Sequence, residues 1–349
     1  MNTTNMDRRQ FLKTSAMAAG AMMAGVGHTA SKTDEIWACL LHLGMNSWKD
    51  VPLDRAPADA SRSFKVRCMA DYLRTDEAVW RSLTDRLGKS GANMIIIDMA
   101  EGVALPSHPE LAVKGTWSIE KFQKELARLR AMGLEPIPKM NFSACHDSWL
   151  KIYQRMVSTK KYYEVCADVI RDTAEVFAPA KDFHIGFDEE DMPNYQRNSS
   201  LLVMRQGDLW WNDLNWFVRE VEKYGARAWV WSDYIRRHPL EEFCRKMPKT
   251  VVQNPWTYRA TKAKMAADPL IKIYSTLAEA GYDVAPCGSN CYGVTENFPE
   301  MSVYCKATLP AERFKGMIMA PWIKTIAPYR RLHWQAADLM AEAIQRTGL

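Results

Sequence analysis

The sequence predicts an α/β chain closed into a (β/α)8 barrel, the TIM-barrel architecture. Three observations predict it. From residue 36 onward, short β-branched or aromatic runs alternate with longer amphipathic runs, and such alternation means a parallel sheet covered by helices. The rhythm repeats about eight times, the number that closes a barrel. No Gly-x-Gly-x-x-Gly follows any strand-like run, which removes the usual dinucleotide reading of a doubly wound sheet. With 349 residues, 47% hydrophobic and 25% charged, the chain has material for one such core.

The strands are expected at Ile36–Leu43, Asn93–Met99, Glu135–Asn141, Phe183–Phe187, Ala226–Ser232, Thr250–Asn254, Asp283–Pro286 and Gly316–Pro321. Helical spacing covers Thr75–Ser90, Ser118–Met132, Lys160–Phe177, Gly207–Tyr224, Asp268–Ala280 and Tyr329–Arg346, with a shorter helix around Pro239–Lys246. The first opens on Thr75-Asp76-Glu77, capping and acidic residues that suit a helix N-terminus. The second opens on Ser118 and stops at Gly133, a C-terminal glycine signal. Glu296–Leu309 has the weakest helical pattern. The longest stretch without a pattern is the loop Asn46–Asp71. It leaves the C-terminal end of the first strand, so it is expected at the face where barrels keep their chemistry.

The N-terminus carries a different signal. In DRRQFLKTSAMAAGAMMAGVG, paired Arg8 and Arg9 precede Phe11, Leu12, Lys13 and a small, weakly apolar run from Ser15 to Val26. This resembles a twin-arginine export signal. The run is too short and too rich in Gly and Ala for a span of ~20 residues. Residues 1–30 are therefore expected to be a signal segment and residues 31–349 a single barrel. The resemblance implies the twin-arginine export machinery as a partner, a periplasmic or extracellular destination and no stable membrane insertion. His28-Thr29-Ala30 lacks the usual small residue three before a cut, so retention as an anchor stays open.

The net charge is +5, and the basic residues form no long run, which argues against a nucleic-acid partner. Eight cysteines without a Cys-x-x-Cys pair read as buried thiols. In an oxidising space one or two disulfides remain open, with Cys287 and Cys291 close enough in sequence to bridge. A metal site from His42, His146 and nearby carboxylates is conceivable, but no His-x-His or His-Glu-x-x-His supports it, so no metal and no cofactor is expected.

The candidate chemistry gathers at the predicted strand ends. FHIGFDEED, Phe183 to Asp191, runs from a fourth strand into four consecutive acids. The second strand ends near Asp98 and Glu101, and the third at Lys139 and Asn141, with His146 just beyond. The fifth, AWVWSDY, supplies Trp231, Asp233 and Tyr234. The sixth supplies Asn254 and Trp256, the seventh Asn290 and Tyr292, the eighth Trp322. Aromatic walls, amides and a few carboxylates are what a sugar ring needs. Simpler readings exist for several of these residues. The acidic run could be a solvated turn or a helix N-terminus. His184 reads as a packed strand histidine. One of Trp229 and Trp231 is expected to face the helices as plain core.

FHIGFDEE resembles the His-x-Gly-Gly-Asp-Glu segment of family 20 glycoside hydrolases, the β-N-acetylhexosaminidases. LEPIPKMNFSACH resembles the preceding strand of that family. WVWSD and the Trp of APWIK fall where the family places its sugar-box tryptophans. The resemblance implies that Glu189 is the general acid/base. It implies that Asp188 orients a substrate 2-acetamido group whose carbonyl oxygen is the nucleophile. Three departures stand out. Phe187 replaces the second Gly, LLHLGMNSW lacks the family's early Arg, and Ile323-Lys324 follow Trp322 where the family has a hydroxyl-binding Glu. Lys139 and Lys324 would suit an anionic sugar, such as a uronate or a sulfated residue.

The sequence thus points to an exported glycosidase acting on a terminal sugar of a glycan or oligosaccharide. If that sugar lacks an acetamido group, Asp233 or Glu101 must supply the second carboxylate. The alternatives are a catalytically silent glycan-binding barrel and, from the export signal and the cysteines, a metal- or redox-dependent enzyme.

Overall fold

The computed structural model describes residues 35–190, 203 and 205–348. The expected signal segment, residues 1–30, and Asp191 of the acidic run lie outside the described residues. Eight parallel strands make the barrel: β1 Ile36–His42, β2 Met94–Asp98, β3 Glu135–Lys139, β4 Asp182–His184, β5 Arg227–Trp231, β6 Val252–Asn254, β7 Cys287–Gly288 and β8 Gly316–Met319. Their order in the sheet is β6-β5-β4-β3-β2-β1-β8-β7. Val284 completes the ring by bridging both Gln253 of β6 and Phe314 before β8. The seventh strand was expected at Asp283–Pro286. Its ladder is instead split, with one bridge at Val284 and a short strand that begins after Pro286. A proline has no N–H to give to a continuous ladder.

Each strand is followed by a helix: α1 Glu77–Leu87, α2 Ile119–Ala131, α3 Lys160–Phe177, α4 Asp208–Glu222, α5 Leu240–Lys246, α6 Pro269–Glu279, α7 Asn297–Thr308 and α8 Arg330–Arg346. Their starts are chemical. Asp76 accepts the N–H groups of Ala78 and Val79, Ser118 that of Lys121, Thr159 that of Tyr162 and Asp268 that of Leu270. The weak pattern of α7 has a packing cause. Asn297, Phe298, Pro299, Met301, Ser302 and Cys305 are all buried, so the helix has little polar face to alternate with its apolar one.

Side-chain alternation sorts the strands into two cores. Trp37, Cys39 and Leu41 of β1 and Ile95 and Ile97 of β2 point outward into the helix layer. Ala38, Leu40, Met94, Ile96, Ile137, Val252 and Ile318 fill the barrel interior. Trp229 and Trp231 both belong to the interior cluster. The expectation that one of them faces the helices is therefore corrected: residues two apart on a strand share a face. Above the apolar layers the register aligns His42 with Asp98, Asp98 with Lys139 and Lys139 with His184. Each barrel strand from β1 to β4 thus ends on a buried polar side chain.

The β1 loop is more structured than its sequence suggested. Lys49–Pro52 pairs with Cys68–Met69, and a short helix, Arg62–Arg67, lies between them. Two buried polar contacts fix it. Glu101 accepts the N–H groups of Met45 and Asn46, each at 2.9 Å. Arg74 donates to the carbonyls of Val66 and Met45 and to Asn46 Oδ1. All eight cysteines are free thiols.

A second buried network ties the β4 loop to the helix layer. Arg205, fully buried, pairs with Glu190 and with Asp213, the latter at 3.1 Å, and donates to the Phe142 carbonyl at 2.8 Å. Removing this cation strands two buried carboxylates. Arg205→Met is expected to cost about 3–5 kcal/mol of stability in urea denaturation; a loss below about 1 kcal/mol would show that the network is dispensable. A chain beginning at residue 31 is expected to fold, because β1 starts at Ile36. Circular dichroism and solubility check this, and unfolded product from a well-behaved full-length chain would contradict it.

Candidate active site

The acidic run leaves β4 through a backbone that only a few residues tolerate. Gly186 has φ +81°, and a Cβ there would sit 1.9 Å from Asn141 Oδ1. Phe187 and Glu189 follow with φ 65° and 54°. For residues other than glycine that conformation costs ~1–3 kcal/mol each, and it persists only where the surroundings impose it. Phe187 is clamped between the rings of Trp210 and Phe217 at 5.6 and 5.4 Å, with the Arg205 guanidinium 4.5 Å from its centroid. Glu190 is held by the Ala144 N–H at 2.8 Å and by Arg205.

The turn deals the carboxylates to different places. Glu190 faces the Arg205 network. Asp188 accepts from Asn141 Nδ2 at 2.9 Å, and its carbonyl accepts from Ser143 Oγ at 2.5 Å. Asp188 and Glu189 both approach His146 Nε2, at 3.5 and 3.1 Å. Burial alone would lower the His146 imidazole. Cys145, Asp188 and Glu189 around it override burial and hold it well above its ordinary value. The ring thus lies beside two carboxylates that favour its charged form. The donor atoms of His146, Asp188 and Glu189 lie within 4.8 Å of one another, the one set among the described residues able to hold a metal ion.

Below this trio lies the buried polar layer. Lys139 Nζ donates to Asp98 Oδ2 at 2.6 Å, and His42 Nδ1 is 3.2 Å from the same oxygen. Burial works to raise the Asp98 carboxyl, but Lys139 and His42 outweigh it and hold it well below the usual range. Burial and the Lys139 charge keep His184 neutral, and its Nδ1 accepts the Gly186 N–H at 3.0 Å. His184 is thus a packed, hydrogen-bonded strand residue, as the sequence predicts, and it fixes the start of the turn.

Above the layer opens a cavity of about 650 Å³. His146, Asp188 and Glu189 line it, with Trp231, Trp256 and Trp322 as walls. Trp231 and Trp322 meet at 5.6 Å between centroids, and Trp256 stacks on Tyr258 at 4.8 Å. The Arg236 guanidinium lies 3.8 Å from the Trp256 ring centroid, and Trp256 Nε1 donates to Asp233 Oδ2 at 2.9 Å. The β1 loop adds Met45, Trp48, Arg62 and Arg67 to the rim, on the face where that loop was expected.

Seven of the residues singled out at the strand ends line this cavity, His146, Asp188, Glu189, Trp231, Trp256, Tyr292 and Trp322, and the others do not. Asn141 sits behind Asp188, and Lys139 is spent on Asp98. Glu101 is folded into the β1 loop. Asn254 Nδ2 donates to the Ala285 carbonyl, and Asn290 ties β7 to α8 through Leu332 and Gln335. Tyr234 stacks on Trp210 and His238, away from the cavity. Asp233 stands behind Trp256 and pairs with Arg236 at 3.2 Å. Burial first, and then the charges of Asp188 and Glu189, push its carboxyl up to about 7 against the pull of Arg236 and Trp256. Trp48 and Tyr258 were not singled out. Tyr258 had a signal, since it stands two residues after Trp256 in QNPWTY; Trp48 had only its loop.

Comparison with known proteins bears on export and fold. Residues 5–25 match the family model described as a TAT (twin-arginine translocation) pathway signal sequence. The chain thus carries a signal for export across the membrane. No helix among the described residues is long and apolar enough to cross a membrane. No curated protein matches the chain. Solved structures do. The β-N-acetylhexosaminidase from Bacteroides fragilis superposes with TM-score 0.58 at 14% identity, over 87% of this chain and 65% of that one. The Streptomyces plicatus N-acetyl-β-hexosaminidase in complex with Thio-NAglucal gives TM-score 0.58 at 13% identity, over 90% and 64%. Dispersin B gives 0.52 at 13%, over 77% and 95%. The chain therefore spans just under two thirds of the first two enzymes. It is a (β/α)8 barrel that shares the fold of these enzymes and carries a twin-arginine signal.

The Asp233 carboxyl makes a measurable demand on stability. Its folded value, about 7, lies above the ordinary 3.8, so the native chain keeps a proton that the unfolded chain has lost between those values. Stability through this group falls as pH rises across that window. Asp233→Asn, which mimics the protonated form, is expected to gain stability relative to the parent chain from pH 4 to pH 8 in urea titrations. An unchanged difference at the two pH values would contradict the assignment.

Proposed function

We propose that the chain is an exported glycoside hydrolase that removes a terminal 2-acetamido sugar from a glycan. One observation carries this reading: Asp188 and Glu189 share His146 at one end of a cavity walled by Trp231, Trp256 and Trp322. Indole faces take the apolar C–H faces of a pyranose and the methyl of an acetamide. Asp188, held by Asn141, is placed to accept the acetamide N–H. That hydrogen bond drives electron density onto the acetamide oxygen, which attacks the anomeric carbon. Glu189 gives its proton to the departing glycosidic oxygen and then takes one from the water that opens the cyclic intermediate.

A second reading has its own observation. The resembled family's hydroxyl-gripping early Arg has no counterpart in LLHLGMNSW, and Ile323-Lys324 follow Trp322 where that family has a Glu. A barrel without those grips would bind glycans and not cleave them. Turnover of aryl β-N-acetylglucosaminides separates the two: binding without release across a broad panel would leave only the silent barrel.

Under the hydrolase reading, Glu189→Gln lowers kcat roughly 10²–10⁴-fold with folding intact. Near-parental turnover in that variant removes Glu189 from the role of acid. A thiazoline mimic of the cyclised acetamide is expected to bind tightly and to lose affinity in Asp188→Asn. Failure to bind, with a fluorosugar adduct on Asp233 or Glu101, would show instead that the protein supplies its own nucleophile.

A further inference from the structure

We infer that the glycan taken by this cavity carries an oxyanionic group, seated against the β1-loop side of the rim. The inference rests on reading the cavity as a sugar site, and it names the substrate class.

The cavity is electrically two-sided. Asp188 and Glu189 stand at one end, and Arg62 and Arg67 line the rim contributed by the β1 loop. Lys324 follows Ile323, itself a lining residue. Arg62 lies with its guanidinium 5.4 Å from the Tyr329 ring. Among the described residues neither Arg62 nor Lys324 has an acidic partner. Arg74, beneath the loop, is 6% exposed and spends its donors on Val66 O, Met45 O and Asn46 Oδ1, all uncharged acceptors. Burial and the charges of Arg74 and Arg62 push Lys324 down to about 8, which reports a crowd of cations around it. Cys68, at the centre of the group, supplies no counter-charge: burial raises its thiol although Lys49, Arg74, Arg67 and Lys324 all pull it down.

Several cations elsewhere, Arg128, Arg171, Arg205, Arg227 and Lys246, each meet one or more carboxylates within 4 Å. Lys324 is half-buried and Arg62 exposed, and like charges held close together oppose folding unless something neutralises them. Leaving Arg62 and Lys324 unpaired beside the cavity makes sense where the ligand brings the anion. The planar fork of Arg62 can take two oxygens of a carboxylate, sulfate ester or phosphate ester, and the Lys324 ammonium adds a point charge. Of the two lysines expected to serve an anionic sugar, Lys139 is consumed by Asp98, and Lys324 adjoins the lining residue Ile323.

Monosaccharides without a glycosidic bond test this without turnover. Affinities of the exported chain for N-acetylglucosamine, its 6-sulfate, its 6-phosphate and glucuronic acid are measured by calorimetry at low and raised salt. At least one anionic probe is expected to bind about tenfold more tightly than the neutral sugar, with the preference shrinking in salt. Which probe wins separates sulfate, phosphate and carboxylate sources. Arg62→Gln, at an exposed position, and Lys324→Met are each expected to reduce the preference, and Lys324→Arg to retain it. Equal affinity for neutral and anionic probes, no binding by any anionic probe, or a preference untouched by both substitutions overturns the inference. The hydrolase reading fails separately. A chain that prefers anions and never cleaves an aryl glycoside loses that reading and keeps this one. Cleavage without anion preference does the reverse.

Discussion

The turn after β4 is the constraint on which the rest of the site depends. Four consecutive acids cannot share one direction in a barrel mouth, because their charges repel and their backbone N–H groups need partners. The chain resolves this by leaving strand geometry at Gly186, where Asn141 packs so closely that no side chain fits. The left-handed conformations of Phe187 and Glu189 then turn Asp188 and Glu189 toward His146 and Glu190 toward Arg205. His184 holds the turn from below through the Gly186 N–H, and the Arg205 network holds it from the helix side. The strain at Phe187 is balanced by an aromatic clamp, so the substitution that departs from the resembled Gly-Gly pattern carries its own compensation.

Charge organises the barrel in layers. The apolar interior ends at His42, Asp98, Lys139 and His184, a layer with an ion pair at its centre. This layer keeps Lys139 away from the cavity. The cavity lining carries both signs of charge, Asp188 and Glu189 from the end of β4 and Arg62 and Arg67 from the β1 loop.

The β1 loop shows how far pattern reading reaches. Its position was legible, because a loop leaving the C-terminal end of a barrel strand has one face to occupy. Its internal structure was not. The pairing of Lys49–Pro52 with Cys68–Met69 joins residues far apart in sequence, and it is held by Glu101 and Arg74, which lie outside the loop. Glu101 itself read as a candidate catalytic carboxylate, and nothing in its own segment announced that two backbone N–H groups from β1 would take both of its oxygens. Asp233, Tyr234, Asn254 and Asn290 share this fate. Each stands near a strand end, but the cavity is a few residues wide, and packing behind its walls uses the rest.

By itself the sequence determined the strand and helix rhythm, the helix caps, the export signal and the place of the acidic run. These are local matters, set by side-chain period, capping chemistry and composition. Tertiary structure alone decided which acid faces which partner, that Trp229 and Trp231 both turn inward, that the seventh strand breaks at Pro286 and that two cations remain unpaired at the rim. Those outcomes depend on contacts between segments 40 to 280 residues apart, such as Asn141 with Asp188 and Thr325 with His42. No window along the chain contains both partners, so only the closed barrel brings their physics together.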